Sequence, residues 1–321
     1  MTRLALIGDI GGTNARFALV TPGEAEPRHV HTLPSADYPG PVEAARDYLA
    51  LVGLNADDAP REACLAFACP VDGDRMSMTN GPWAFSRRAV QQTLGLSRFK
   101  AINDFTAQAL GVTCLAPGDI IAVKPGKAKP DAVQLAFGPG TGLGVAGLFP
   151  GRHWHLLPSE GGHVAFAATD AHEHGLLRHF QRRYDRVSVE RILSGPGLLE
   201  LYLAHCSLAG TPPRCAFPAE VTVAADEGDA LARETLLRFL KILGDICGDA
   251  ALTLGARGGV TLCGGILPRL RDWLPKSRFA VAFAAKGRMS AYTAAIPVRL
   301  AVSPWTGLLG AAAALRNPQI H

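Results

Sequence analysis

The 321-residue chain is 48% hydrophobic and 19% charged, with a formal net charge of +4, a composition that describes a folded globular protein and excludes a disordered one. Its length corresponds to about two domains, and its basic residues are scattered, so no nucleic-acid partner is expected. No apolar run reaches the span of a bilayer and the first residues lack a basic-then-apolar leader, so the expectation is a cytoplasmic protein with no membrane partner.

In chain order, Leu4–Ile7 and Arg16–Val20 read as two strands around Gly8-Asp9-Ile10-Gly11-Gly12-Thr13-Asn14. Glycine and asparagine accept the positive φ that a tight hairpin turn demands. The turn is consistent with a plain hairpin. It is equally consistent with a bend stripped of side chains so that phosphate can reach backbone N–H groups. Helical periodicity follows over 41–53, 86–95, 175–184 and 229–255, and strand-like runs over 63–71, 100–104 and 295–303. A second glycine hairpin covers Gln134–Phe149, "QLAFGPGTGLGVAGLF", and a strand-plus-glycine unit covers Gly258–Leu270, "GGVTLCGGILPRL". The last segment, "TGLLGAAAALRN", reads as a small-residue helix able to pack closely on the first domain's sheet. "KPGKAKP" (Lys124–Pro130) reads as a solvated loop. Mixed strands and helices throughout give an α/β fold, and strand–glycine turn–strand units near the start of each half suggest two related domains.

Seven cysteines without a C-x-x-C pair read as free, mostly buried thiols. Among ten histidines, "HEHG" (172–175) and "RHWH" (152–155) lack zinc-site spacing and read as surface residues. A Walker A loop, a G-x-S-x-G elbow and the kinase H-R-D and D-F-G set are all missing. The literal G-x-G-x-x-G at Gly142–Gly147 is a decoy, because "VAGLF" reads as a strand and a dinucleotide fingerprint must open a helix. Two hairpin turns remain, "GDIGGT" and "GPGTG", each offering backbone donors and a threonine hydroxyl to an anion.

The set "GDIGGTNARFAL", "INDFTA" (102–107), "GPGTGLG", "EGGHV" (160–164), "SVERILSGPGL" (188–198) and "GGVTLCGGI" resembles the bacterial glucokinases, the ATP-dependent branch of the actin-like sugar kinases. The resemblance runs from residue 4 to the final helix, with six motifs in the family's order. It implies a two-domain actin-like (ribonuclease-H-like) ATPase fold with a cleft between a small domain (1–112 plus 304–321) and a large one (113–303). It also implies transfer of a phosphoryl group from ATP to the 6-hydroxyl of D-glucose, and a homodimer.

Carried onto this chain, Asp104 becomes the general base. Its alternative is an N-cap for "FTAQALG", a routine task for aspartate. Asn80, Asn103, Asp104, Glu160, His163 and Glu190 become the glucose contacts. Each has a plainer reading: Glu190 as a helix-dipole partner in a helix headed by Ser188, His163 as a core histidine, Glu160 as an exposed acid. The two glycines between Glu160 and His163 would let both reach one ligand. Gly8, Asp9, Ile10, Gly11, Gly12 and Thr13, with Gly140, Thr141 and Gly142, become the phosphate-binding turns. Gly264 and Gly265 would leave room for adenosine, and Asp9 would hold Mg2+ through water. Arg16 reads either as a phosphate ligand or as an outward-facing charge. The repressor–kinase branch carries a cysteine-rich zinc element after its Gly-His motif; no cysteine follows His163 until Cys206, so that zinc site is not expected. Kinases for other hexoses, or a sugar-binding regulator on the same fold, are the alternatives.

Overall fold

The computed structural model describes residues 4–24, 26–54, 58–78 and 81–320. The chain divides into two compact units, Met1–Ile120 with Leu148–Leu157 and Ser303–His321, and Ile121–Gly147 with Pro158–Val302.

In the first unit the strands are β1 (Ala5–Ile10), β2 (Asn14–Val20), β3 (Arg28–Pro34), β4 (Glu62–Phe67), β5 (Arg75–Ser77), β6 (Ala84–Ser86) and β7 (Arg98–Asn103). Five of them form a sheet in the order β3-β2-β1-β4-β7, while β5 and β6 pair separately. The opening hairpin is present as expected: β1 and β2 run antiparallel with Asp9 opposite Arg16. β4 lies parallel to β1, and β7 parallel to β4. β1 is the middle strand, which is why it reads as a nearly unbroken apolar run.

Three helices follow in order: α1 (Pro41–Leu51), α2 (Arg87–Thr93) and α3 (Asp104–Gly111). α1 starts on a proline at its first helical position and buries Val42, Ala45 and Tyr48, a one-face spacing. Leu6, Phe17, Phe67 and Trp83 lie with Tyr48 in the core of this unit.

The remaining strands, most of whose residues belong to the second unit, are β8 (Ile120–Lys124), β9 (Gln134–Pro139), β10 (Leu143–Phe149), β11 (His155–Ser159), β12 (Gly259–Leu262) and β13 (Val298–Ala301). Their order is β11-β10-β9-β12-β13-β8. β12 runs parallel to both β9 and β13. Residues 143–147 are strand, so the literal G-x-G-x-x-G opens no helix. The helices are α4 (Ala171–Gln181), α5 (Gly195–Ala209), α6 (Pro218–Asp226), α7 (Ala230–Leu254), α8 (Phe279–Ala284) and α9 (Ser290–Ala294).

The long helix expected over 229–255 is α7. Asp229 caps its start through Ala232 N, and Gly255 ends it in the left-handed conformation, φ 61°. Its internal glycines have a packing reason. A Cβ on Gly244 or Gly248 would run into the carbonyl oxygen of Phe279 or Phe283, so α8 lies backbone-close against α7.

The last helix, α10 (Thr306–Arg316), returns to the first unit. It is almost wholly buried. The small residues expected to permit close packing do so against α3: a Cβ on Gly310 would fall on the Ala107 carbonyl oxygen, and one on Gly111 on that of Thr306. Its C-terminal end is tied to β7, where buried Lys100 donates from Nζ to the carbonyls of Ala314 and Asn317, both at 2.8 Å.

Several expectations need correction. Lys124 is not a solvated loop residue. It is buried, and its Nζ donates to the carbonyls of Ala294 and Ile296 at 2.6 Å. No helix is headed by Ser188; that segment is a turn, and α5 begins at Gly195 with Ser194 Oγ accepting from Gly197 N at 3.1 Å. α4 starts earlier than the periodicity suggests, because Asp170 caps it through Glu173 N. α5 and α6 were not foreseen: the first opens on Gly-Pro-Gly and the second is short. All seven cysteines are free, six of them buried. Among the described residues no helix is long and apolar enough to cross a membrane.

Candidate active site

In the first unit the candidate residues collect at the ends of β1 and β7. The bend between β1 and β2 is closed by Gly11 N donating to the Asn14 carbonyl at 2.9 Å, which leaves the amides of Gly12 and Thr13 at its tip. Gly8 lies within β1, where a Cβ would meet Leu65 Cδ2 at 2.7 Å, and the side chain of Ile10 is in the core. Any part these two take in holding phosphate is through their backbone.

Asp9 sits near the end of β1 with its side chain 13% exposed, and Arg16 Nη1 stands 3.6 Å from its Oδ2. Burial pushes the Asp9 carboxyl above its ordinary pKa, and Arg16 only partly offsets this. Arg16 is the cross-strand partner of Asp9. The other side of the carboxylate rests on α10. A Cβ on Gly307 would stand 2.6 Å from Asp9 Oδ2, so only glycine leaves Asp9 its seat. Nothing in the local pattern singles out Gly307 beyond its place in a small-residue helix.

The capping role read for Asp104 belongs to its neighbour. The cap of α3 is Asn103, whose Oδ1 accepts from Phe105 N at 2.9 Å and Thr106 N at 3.2 Å. Its Nδ2 donates to the Cys69 carbonyl at 3.3 Å, so one amide N–H is what Asn103 has to offer a ligand. Asp104 is the first helical residue, with Oδ1 accepting from Phe105 N at 2.8 Å. Burial raises the Asp104 carboxyl to about 6, the charge of Asp9 adds to the rise, and the helix amides restrain it. Asn80 lies outside the described residues.

In the second unit, Gly161–His163 forms one tight turn. His163 stands between two acids, its Nε2 3.7 Å from Glu160 Oε2 and its Nδ1 3.9 Å from Glu190 Oε1. The three candidate sugar contacts of this unit therefore converge. Glu160 is exposed and His163 mostly so, which sets aside a core role for the histidine.

Glu190 is also bound to the glycine turn after β9: its Oε2 accepts from Leu143 N at 2.8 Å. A Cβ on Gly142 would stand 2.5 Å from that oxygen, and one on Gly162 would strike the Leu143 carbonyl. Gly140 in turn accepts at its carbonyl from Gly195 N at 2.7 Å. Gly264 has φ +83°, and a Cβ there would lie 2.9 Å from the Pro139 carbonyl; nothing crowds Gly265. Gly140–Gly142, Gly162, Glu190 and Gly264 are thus one packed cluster, with Thr141 exposed at its tip.

A side-chain-poor bend, a half-buried acid near it and a raised-pKa carboxylate at a helix start are the equipment of a phosphoryl-transfer enzyme. The glucokinase family model matches residues 6–318. The chain is 62% identical to a glucokinase of Chromohalobacter salexigens over 321 residues, the whole of both chains. A crystal structure of glucokinase from an Antarctic psychrotroph is similar at 37% identity and a TM-score of 0.89, over 99% of this chain and 100% of that one. A ROK family glucokinase from Streptomyces griseus, solved with glucose and AMPPNP, shares the fold at 19% identity and a TM-score of 0.65, over 96% of this chain and 98% of that one. The fold is the actin-like two-domain ATPase fold of the sugar kinases. Within that class, the chain belongs to the glucokinase family.

Proposed function

We propose that this protein transfers the γ-phosphoryl group of ATP to the 6-hydroxyl of D-glucose, giving ADP and glucose 6-phosphate, with Asp104 as general base. The observation that carries the assignment is the Asp104 carboxyl: held at the start of α3, half-buried, and raised to about 6. A base with a pKa near working pH combines proton affinity with a high ionised fraction. Asp104 takes the proton of the attacking hydroxyl as the oxygen bonds to phosphorus and ADP leaves. Asn103, Asp104, Glu160, His163 and Glu190 bind the sugar hydroxyls. A wrong epimer leaves one of these polar groups unpaired.

The amides of Gly12 and Thr13 and the Gly140–Gly142 turn hold the phosphates, with adenosine beside Gly264 and Gly265. Asp9 fits Mg2+: it is a hard oxygen donor, half-buried, whose one ion pair among the described residues is the 3.6 Å contact with Arg16, and this ion takes one or two carboxylates while keeping waters. When bound, the ion neutralises charge on the phosphates. The charge of Asp9 also raises the Asp104 pKa, so the two acids are electrostatically linked.

The test is incubation with ATP and Mg2+ across a hexose panel. Glucose-dependent ADP release with the highest kcat/KM for glucose supports the reading; sugar-independent ADP release, or none, overturns it. Two predictions accompany it. Because the base works ionised, kcat/KM falls about tenfold per pH unit below about pH 6, and a pH–rate profile flat down to pH 4.5 would contradict the role of Asp104. Gly307→Ala drives Asp9 from its seat, and kcat/KM for ATP drops about 10- to 100-fold with a small change in Tm. Unaltered kinetics would show that the position of Asp9 is immaterial.

A further inference from the structure

The second unit holds a group of side chains that the kinase reaction does not use. His172 on α4, His205 on α5 and Glu234 on α7 each bring one ligand-type atom within 4.8 Å of the others. His172 was expected at the surface, yet its Nε2 is buried and has no hydrogen-bond partner, and the same holds for Nε2 of His205. The two rings stack at 5.1 Å between centroids.

The tautomer of His205 follows from its neighbours. Thr235 donates its hydroxyl to the Leu231 carbonyl at 2.7 Å. Its oxygen is therefore free only to accept, and it accepts from His205 Nδ1 at 2.7 Å. The proton lies on Nδ1, and Nε2 is left as a bare lone pair in a residue only 2% exposed. A buried lone pair without a donor is costly.

We propose that His172, His205 and Glu234 form a binding site for a first-row divalent cation of the Zn2+ type, ligated by two imidazole nitrogens and one carboxylate. A tetrahedral zinc with bonds of about 2.0–2.1 Å keeps its ligand atoms about 3.3–3.4 Å apart. His172 Nε2 and Glu234 Oε1 are already 3.5 Å apart. The Thr235–Leu231 relay behind His205 is the outer-shell device that fixes ring orientation in histidine metal sites. Glu234 is exposed and also lines a cavity of about 450 Å³, so its carboxylate is reachable from solvent. The charge of Arg238 is already matched by Asp170 at 2.5 Å and Glu173 at 3.0 Å. The ion ties three helices of one unit together, so its role is structural. It is distinct from a cysteine-rich element, and no linear spacing announces it, because its ligands lie on three separate helices.

The test uses untagged full-length protein stripped with a chelator and titrated with Co2+, then with Zn2+. One equivalent of Co2+ with visible ligand-field bands and no thiolate charge-transfer band is expected, and Zn2+ displaces it and raises Tm. His172→Ala and the exposed-position variant Glu234→Gln each weaken binding at least about 10- to 100-fold, the range known for less direct supporting contacts. Both keep the circular dichroism of the metal-free parent. Absence of binding, thiolate bands alone, or binding untouched by Glu234→Gln overturns the proposal.

Discussion

Asp104→Asn lowers kcat for glucose phosphorylation by about 10²–10⁴, leaves KM for glucose within a few-fold, and makes the protein more stable at pH 7. The two effects share one cause. The carboxylate is the proton acceptor, so its amide cannot serve; yet the carboxylate is also held where charge is unwelcome, by burial and by Asp9. The amide keeps an oxygen for the 2.8 Å bond from Phe105 N, so the variant loses charge and little else.

The sign follows from linkage. The folded pKa, about 6, lies above the unfolded value of 3.8, so the native state binds the proton more tightly. The ionised group's penalty is complete above about pH 6, and it fades as pH falls through 6 toward 3.8. A rise of about two units corresponds to about 3 kcal/mol at most, and relaxation around the site brings the expected gain to about 1–3 kcal/mol. Thermal unfolding of both proteins between pH 4 and 7 checks it. The variant melts several degrees higher at pH 7, and the gap closes on acidification. A gap that widens instead, or wild-type kcat in the variant, would remove Asp104 from the reaction.

Gly310→Ala destabilises the protein by about 3 kcal/mol or more, at the upper end of the cost of overpacking. The added methyl would land on the Ala107 carbonyl oxygen of α3, a backbone atom that cannot rotate away. Better helix propensity returns only about 1 kcal/mol, so the collision wins. α3 begins with Asp104, and a shift of that helix by about 1 Å is expected to lower kcat about 10²-fold as well. Gly118→Ala is the control, since nothing lies within 4 Å of a Cβ there; its change stays within about 0.5 kcal/mol. Urea unfolding and steady-state kinetics on both variants decide the matter. A Gly310→Ala protein as stable as its parent would mean that α3 and α10 are not in backbone contact.

Much of this molecule was legible before any coordinates. Both glycine hairpins, the long α7, the small-residue α10, the buried thiols and the strand nature of the decoy G-x-G-x-x-G follow from local pattern, because period and turn chemistry act over a few residues. The convergence of Glu160 with His163 was readable too, since two glycines between them leave a single tight turn. What escaped was set by partners far away in sequence. Lys124 looks solvated until Ala294 and Ile296 present their carbonyls to it. Asn103 rather than Asp104 caps α3, a difference of one residue that pattern does not resolve.

The sequence alone determined the α/β class, the glycine bends and the motif order that identifies the family, for these depend on neighbours along the chain. Only the tertiary structure decided that Asp9 is seated by Gly307, that Glu190 is fastened to the turn at Leu143, and that His172, His205 and Glu234 meet. Burial and proximity between distant residues set a carboxyl's pKa and a histidine's free lone pair, and neither quantity exists until the chain has folded.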